Sequence, residues 1–261
     1  MSSSDIRDRP RRSAGFLWLV TGLGLAGVAS LALAPLEQAL PPGVDVPPLL
    51  LLLQPALLVL GLAALGWIAA PRVGLDAPVL GALADGGEWR APLKAALQPA
   101  LLGGALCAAV LLVYGLLSRE VLATTTAPDF EVPLVARVLY GGVTEEILLR
   151  WGVMSGLAWL FTWLRRPLGL SAASALWVAN AWAAGLFALG HLPTLFVLLP
   201  MPPDWLVALV VGANAMIGMV LGWLYMRRGL ECAMLAHAAA HLLALGTAAL
   251  LDAAGLLPAL A

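Results

Sequence analysis

Residues 95–118, AALQPALLGGALCAAVLLVYGLLS, are the stretch that decides the fold, because these 24 residues contain no charged side chain. About 20 consecutive apolar residues suffice to cross the hydrocarbon core of a bilayer as an α-helix. Similar charge-free runs cover residues 13–36, 46–71 and 205–226. The pattern predicts an all-α, polytopic transmembrane helix bundle.

The overall composition excludes several other classes of protein. Of the 261 residues, 62% are hydrophobic and only 11% are charged, whereas a soluble domain carries about 25% charged residues. The two cysteines, Cys107 and Cys232, are too few for a disulfide scaffold, and we expect both to be packing residues. The net charge of −1 provides no basic surface, so no nucleic-acid partner is expected.

We predict about seven membrane spans. Beyond the four runs above, the fourth span covers about residues 132–164, the fifth lies within 167–203, and the seventh covers about 232–251. Residues 192–199 are a candidate for a short re-entrant or eighth element. The first run is interpreted as a retained helix rather than a signal peptide, because it is longer than a typical apolar signal region.

The distribution of Lys and Arg predicts the orientation of the bundle. Basic residues are concentrated at the N-terminus and in alternate loops, which indicates a cytoplasmic N-terminus. Arg119 is the exception on the outer side. We divide the chain into a charged cytoplasmic tail (1–12), three N-terminal transmembrane helices with their loops (13–130), and a core of helices (131–261). Since the loops are short, the function is expected inside the bundle.

The fourth span contains the charged sequence TEEILLR at residues 144–150. Ionisable groups inside a membrane are candidate functional residues, because burying them unpaired costs several kcal/mol. On an α-helix Glu146 and Arg150 are about 40° apart, in the order that favours an ion pair. Glu145 projects about 100° away from Glu146. It is therefore either an unpaired carboxylate suited to general-base chemistry or part of one structural polar cluster.

The three histidines of the chain lie in apolar surroundings. His191 ends the run FALGH, and His237 and His241 are one helical turn apart and share a face. Two such imidazoles can bind a metal ion or hold a water molecule. The alternative is that they are hydrogen-bonded helix contacts. The alanines between His237 and His241 allow another helix to approach closely.

The expected depth in the membrane is the same for Glu145 and His237 but differs for His191. Counted at 1.5 Å per residue, Glu145 and His237 both reach about mid-membrane. A straight helix from Leu168 would place His191 near the outer surface. We therefore expect the fifth helix to start deeper or to be tilted, or the fourth helix to break at Gly141-Gly142.

Three motifs in this order resemble the CPBP family, which comprises the type II CAAX prenyl proteases and the bacterial bacteriocin-processing and self-immunity (Abi) membrane proteins. They are Glu145-Glu146-x-x-x-Arg150, Phe187-x-x-x-His191 and His237-x-x-x-His241. The resemblance implies an intramembrane protease in which Glu145 activates water, with His191 and His237 as further catalytic residues. His241 stands where the family usually has Asn or Asp, and it is also assigned to the catalytic set. Glu146, Arg150 and Phe187 are expected to support the site.

The resemblance leaves the cofactor open. One divalent metal ion such as Zn²⁺, bound by the set Glu145, His191, His237 and His241, and a metal-free glutamate mechanism are both compatible with it. The implied partner is a membrane-associated peptide or protein substrate, and the implied location is the lipid bilayer of a bacterial-type inner or plasma membrane. The competing functions are a proton-coupled transporter and a non-catalytic scaffold or immunity protein.

Overall fold

The computed structural model describes residues 12–40, 43–44, 46–122, 132–164, 167, 169 and 171–256, and in these ranges it is helical with no strand. In chain order the helices are α1 (Ala14–Ser30), α2 (Leu53–Ala69), α3 (Pro78–Asp85), α4 (Arg90–Leu122), α5 (Leu134–Leu164), α6 (Ala172–Leu189), α7 (Leu192–Leu198), α8 (Asp204–Arg228) and α9 (Leu230–Ala253), with single turns at Leu31–Leu33, Leu36–Ala39, Pro48–Leu51 and Ala70–Val73. The tail residues 1–11 and the basic pair Arg165 and Arg166 lie outside the described residues.

Seven segments within the described residues are long and apolar enough to cross a membrane, which confirms the predicted number of spans. They are Ala14–Leu33, Leu49–Val73, Arg90–Val121, Leu134–Leu164, Ala172–Leu198, Asp204–Arg228 and Leu230–Ala253. The chain is therefore a multi-pass integral membrane protein. The stretch expected to hold an extra element forms α7, which belongs to the fifth span.

The third span is longer than predicted. The charge-free run gave residues 95–118, whereas α4 extends from Arg90 to Leu122. Lys94 and Arg119 are thus inside the helix near its two ends. Long basic side chains can keep their charged ends in water while their stems lie along apolar surface, so a charge near the membrane boundary does not end a helix.

The exposed surface of α4 is apolar, as expected of a helix that faces lipid. Leu101 and Leu102 are 58% and 66% exposed, while Ala100 and Cys107 are buried. An exposed face of this apolar composition fits a hydrocarbon solvent, and small buried residues let membrane helices approach closely. Cys107 and Cys232 are both buried and unlinked, as expected of packing residues.

The centre of the fourth span, in α5, is π-helical rather than α-helical. Two stretches, Arg137–Glu145 and Ile147–Met154, adopt this wider helix, while α5 continues without a break at Gly141-Gly142. The backbone N–H of Ser155 donates to the carbonyl of Arg150, five residues back, as in a π-helical turn. The α-helical angles assumed for the Glu-Glu motif are therefore wrong. π-Helical segments are rare and are often found at functional sites.

Small residues allow α5 to pack tightly on its neighbours. A Cβ atom at Gly142 would lie 2.9 Å from the Cβ of Ala238 on α9, so the two backbones are nearly in contact. On the side of α1, Thr144 Oγ1 donates to the carbonyl of Gly24 at 2.8 Å. These contacts fix the part of α5 that carries the glutamates between α1 and α9.

Replacing Gly142 is accordingly expected to destabilise the bundle. Gly142→Ala requires α5 and α9 to separate, since the new Cβ would meet the backbone and Cβ of Ala238; overpacking of this kind costs about 1–3 kcal/mol. Thermal unfolding in detergent measures the change. Gly185→Ala in α6 is the matched control, because its added Cβ meets no atom within 4 Å, and it should unfold at or slightly above the wild-type temperature, since alanine favours a helix over glycine. An equal effect of the two substitutions would contradict the packing described here.

One end of the bundle is joined by polar contacts that the sequence did not predict. The buried Glu231 at the start of α9 accepts a hydrogen bond from the backbone N–H of Leu80 near the N-terminus of α3, at 2.7 Å. Arg12 pairs with Asp76, and its carbonyl accepts a hydrogen bond from Trp67 Nε1 at 2.8 Å. These contacts connect α3 and the start of α1 to α2 and α9.

Candidate active site

The predicted ion pair of Glu146 and Arg150 is present and fully buried. Arg150 Nε lies 3.2 Å from Glu146 Oε2, with the two side chains 1% and 0% exposed. Arg150 Nη2 also donates to the carbonyl of Gly218 on α8 at 3.1 Å, whereas its Nη1 has no hydrogen-bond partner among the described residues. Removing one partner of a buried ion pair leaves an uncompensated charge, which is strongly destabilising. The glutamate and the arginine therefore require one another.

Glu146 has a second partner, His237 on α9. Its Oε1 lies 2.9 Å from His237 Nδ1, and His237 is also buried. A carboxylate paired with a guanidinium can only accept, so we place the proton on Nδ1. The neutral imidazole then presents a lone pair at Nε2. The sequence pattern predicted only Arg150 as a partner of Glu146. The contact with His237 could not be predicted from it, because the two residues are 91 positions apart in the chain and lie on different helices.

His191 lies where the fifth span is interrupted, between the end of α6 and the start of α7. Its Nδ1 is 2.8 Å from the carbonyl oxygen of Phe187, which can only accept, so the proton is again on Nδ1 and Nε2 is an acceptor. The start of α6 at Ala172 agrees with the expectation of a later helix start. The residue is half-buried.

Phe187 connects the histidines to the ion pair. Its ring centroid is 4.8 Å from that of His191 and 5.9 Å from that of His237, both edge-on. The guanidinium carbon of Arg150 lies over the same ring at 5.0 Å, within the range of a cation–π contact. The residue expected to support the site thus contacts three of its members.

His241 and Glu145 form the second half of the cluster. The ring of His241 stacks on that of His237 with centroids 5.0 Å apart. Glu145 Oε2 and His241 Nε2 both lie within 4 Å of the point where a Cβ at Gly141 would stand. Glu145 is half-buried, and no hydrogen bond or ion pair to it is formed within the described parts of the chain. The two adjacent glutamates therefore have different surroundings.

The structure brings the predicted catalytic and supporting residues into one cluster, supplied by α5, the α6–α7 junction and α9. As arranged, however, they do not form a metal site: across the described ranges no group of three or more His, Cys, Asp or Glu side chains is placed to hold a metal ion.

A cavity of about 360 Å³ reaches the cluster at His241. Its walls are mostly leucine and alanine side chains of α4 and α9, and Arg119 and Arg137 also line it. Sequence reasoning did not identify this cavity or Arg137, because its walls come from helices that are distant along the chain. The cavity therefore opens onto the half-buried side of the cluster, where His241 lines it.

Comparison with known proteins supports the family indicated by the motifs. Residues 128–243 match the Rce1-like family, described as type II CAAX prenyl endopeptidase Rce1-like, and the matched segment contains all three motifs. The match, which covers less than half of the chain, confirms the resemblance to the CPBP family. Neither the curated proteins nor the solved structures gave a match to the chain.

Proposed function

We propose that this chain, whose residues 128–243 belong to the Rce1-like family, is an intramembrane endopeptidase that cleaves a membrane-associated peptide or protein with a water molecule activated by Glu145. The observation that carries the proposal is the contrast between the two adjacent glutamates. Glu146 has a cationic or N–H partner on each oxygen, whereas Glu145 borders the same gap as His241. One carboxylate orients the site and the other is available for chemistry.

Glu145 is assigned the role of general base. A base must reach the water whose proton it removes, and its carboxylate must not be held by another group. The carboxylate of Glu145 meets the second condition, and it borders the same gap as His241, which lines the cavity. It takes one proton from water, and the resulting hydroxide attacks the carbonyl carbon of the scissile bond.

The histidines are assigned roles according to which of their nitrogen atoms is available. His191 and His237 present Nε2 as an acceptor, so in the neutral state they orient the attacking water. His241 has no hydrogen bond to either ring nitrogen within the described residues, so its N–H is available to donate to the oxyanion of the tetrahedral intermediate. When the C–N bond breaks, the proton held by Glu145 passes to the leaving amine, and this restores the base.

Glu146 and Arg150 act as positioning residues. Glu146 holds His237 through Nδ1, which fixes the ring so that Nε2 points away from the ion pair. Arg150 pairs with Glu146 and packs on Phe187, which in turn contacts His191. The same polar contacts would serve a non-catalytic scaffold, so the proposal depends on a measured reaction.

The cellular setting is proposed from the sequence and the family together. The basic N-terminus supports a cytoplasmic location for that end of the chain. The CPBP resemblance includes bacterial membrane proteins, which supports a bacterial-type inner or plasma membrane. The substrate is taken to be a membrane-associated peptide or protein, without assignment of a prenyl group.

The test is cleavage of a membrane peptide library by the purified protein in vesicles. Wild type is expected to produce defined fragments by mass spectrometry, and His237→Ala to cleave at least tenfold more slowly, because the ring between Glu146 and His241 is lost. The metal content of the same samples shows whether activity follows a bound ion. Equal cleavage by His237→Ala and wild type, or none by either, would contradict the proposal, and the second result would favour a scaffold or a transporter.

A further inference from the structure

The cavity between α4, α5 and α9 has an amphipathic lining, of which the proposed reaction uses only His241. Its charged lining residues are Arg119 on α4 and Arg137 on α5, and no described residue of the lining is acidic. The rest of the wall is apolar apart from the phenol of Tyr114 and the ring of His241. We refer to this space as the arginine-ended cavity.

The two arginines lie at the level of a membrane surface. Arg119 is two residues from the end of the span Arg90–Val121, and Arg137 is three residues from the start of the span Leu134–Leu164. Both are therefore within one helical turn of the point where the chain leaves the hydrocarbon. Arg137 Nε donates to the carbonyl of Val132 at 2.7 Å, which fixes the guanidinium near that boundary.

The apolar wall extends inward from this level. Along α9 the lining runs from Leu251 through Ala248, Leu245 and Ala244 to His241. This distance of ten residues is about 15 Å at 1.5 Å per residue, or half the thickness of a hydrocarbon core. A ligand that fills the cavity thus has an anionic end at the membrane surface and an apolar body that reaches mid-membrane.

We propose that the arginine-ended cavity binds an anionic phospholipid, with its phosphate between Arg119 and Arg137 and an acyl chain along α9 towards His241. Guanidinium groups suit phosphate oxygens, because their fixed N–H donors match those oxygens in geometry and charge. An acyl chain needs no hydrogen bonds from the wall. A peptide backbone does, and in this low-polarity wall its unsatisfied N–H and C=O groups would each cost several kcal/mol.

This occupant lies beside the proposed catalytic cluster but does not depend on it. The deep end of the lipid contacts His241, whose ring stacks on His237. Binding is set by the arginines and the apolar wall, whether or not the chain hydrolyses peptides. The inference can therefore be tested without an activity measurement.

The experiment is native mass spectrometry of the purified full chain titrated with phosphatidylglycerol or with phosphatidylcholine. Wild type is expected to bind phosphatidylglycerol about tenfold more tightly than phosphatidylcholine, and the double variant Arg119→Gln/Arg137→Gln to lose this preference. Arg90→Gln, at the opposite end of α4, is the matched control and should keep it. An unchanged preference in the double variant would overturn the proposal.

A second variant removes the space and leaves the charges in place. Ala248→Trp fills the wall of the cavity and is expected to reduce the amount of bound phosphatidylglycerol, including in the case that the double arginine variant does not fold. Full retention of the lipid by Ala248→Trp would overturn the proposal. Competition between an apolar tripeptide and the bound lipid tests the alternative occupant. In one outcome, wild type shows no preference for phosphatidylglycerol, and the free acid of the tripeptide displaces the lipid while its amide does not. That outcome would show that the site takes a peptide carboxylate and that the lipid assignment is wrong.

Discussion

Glu145→Gln is expected to lower the rate of peptide cleavage by about 10²–10⁴-fold, the contribution typical of a general acid or base. The amide has nearly the same size as the carboxylate but cannot accept the proton of water. Glu145 makes no hydrogen bond or ion pair within the described residues, so the change leaves the buried pair of Glu146 and Arg150 intact. The loss should appear in the cleavage rate with the unfolding temperature unchanged.

The matched control for this substitution is Glu37→Gln, the same chemical change at an exposed glutamate outside the cluster. It should cleave like the wild type. Initial rates on one fragment-producing peptide, measured in vesicles at several substrate concentrations, separate a loss of kcat from a change in KM. Wild-type activity in Glu145→Gln would show that another group activates the water.

Glu146→Ala is expected to destabilise the fold by about 3–5 kcal/mol, the cost of leaving one charge of a buried pair without its partner. Arg150 is 1% exposed, and its remaining hydrogen bond is to the carbonyl of Gly218. The substitution also leaves His237 Nδ1 without its acceptor. Denaturant or thermal unfolding in detergent measures the loss, together with the yield of folded protein.

Removing the charges of both Glu146 and Arg150 tests whether an unpaired buried charge causes the loss of stability in Glu146→Ala. The double variant Glu146→Leu/Arg150→Met replaces the pair by apolar groups of similar volume, and it should recover much of the stability lost in Glu146→Ala, because no unpaired buried charge remains. It should still be inactive, since His237 is no longer oriented by a carboxylate. A double variant as unstable as the single one would show that the buried ion pair is not the source of the effect.

The membrane spans and the ion pair could be predicted because they depend on neighbouring residues. Long charge-free runs indicate spans whatever their partners are, and the order of Glu146 and Arg150 favours a pair within one helix. The pair of Glu146 and Arg150 forms in the structure although the segment is π-helical rather than α-helical. The cluster of the three motifs was predicted from the family resemblance rather than from geometry.

The contacts that could not be predicted from the sequence join residues that are distant along the chain. The bond between Glu146 and His237 depends on how α5 packs against α9, and small residues such as Gly142 permit this approach without encoding its direction. The π-helical stretches likewise have no simple periodic signal. Depth counted along a straight fifth helix did not place His191 near His237, although both rings contact Phe187.

The central claim, that this membrane protein hydrolyses peptide bonds with an activated water molecule, is tested most directly by the isotope content of its products. Purified wild type in vesicles is incubated with a membrane peptide library in ¹⁸O-labelled water, with Glu145→Gln as the parallel sample. Wild type is expected to release fragments that carry ¹⁸O in the new C-terminal carboxyl group, and Glu145→Gln to release almost none. Intact peptides with wild type, or equal labelled products from both proteins, would contradict the claim.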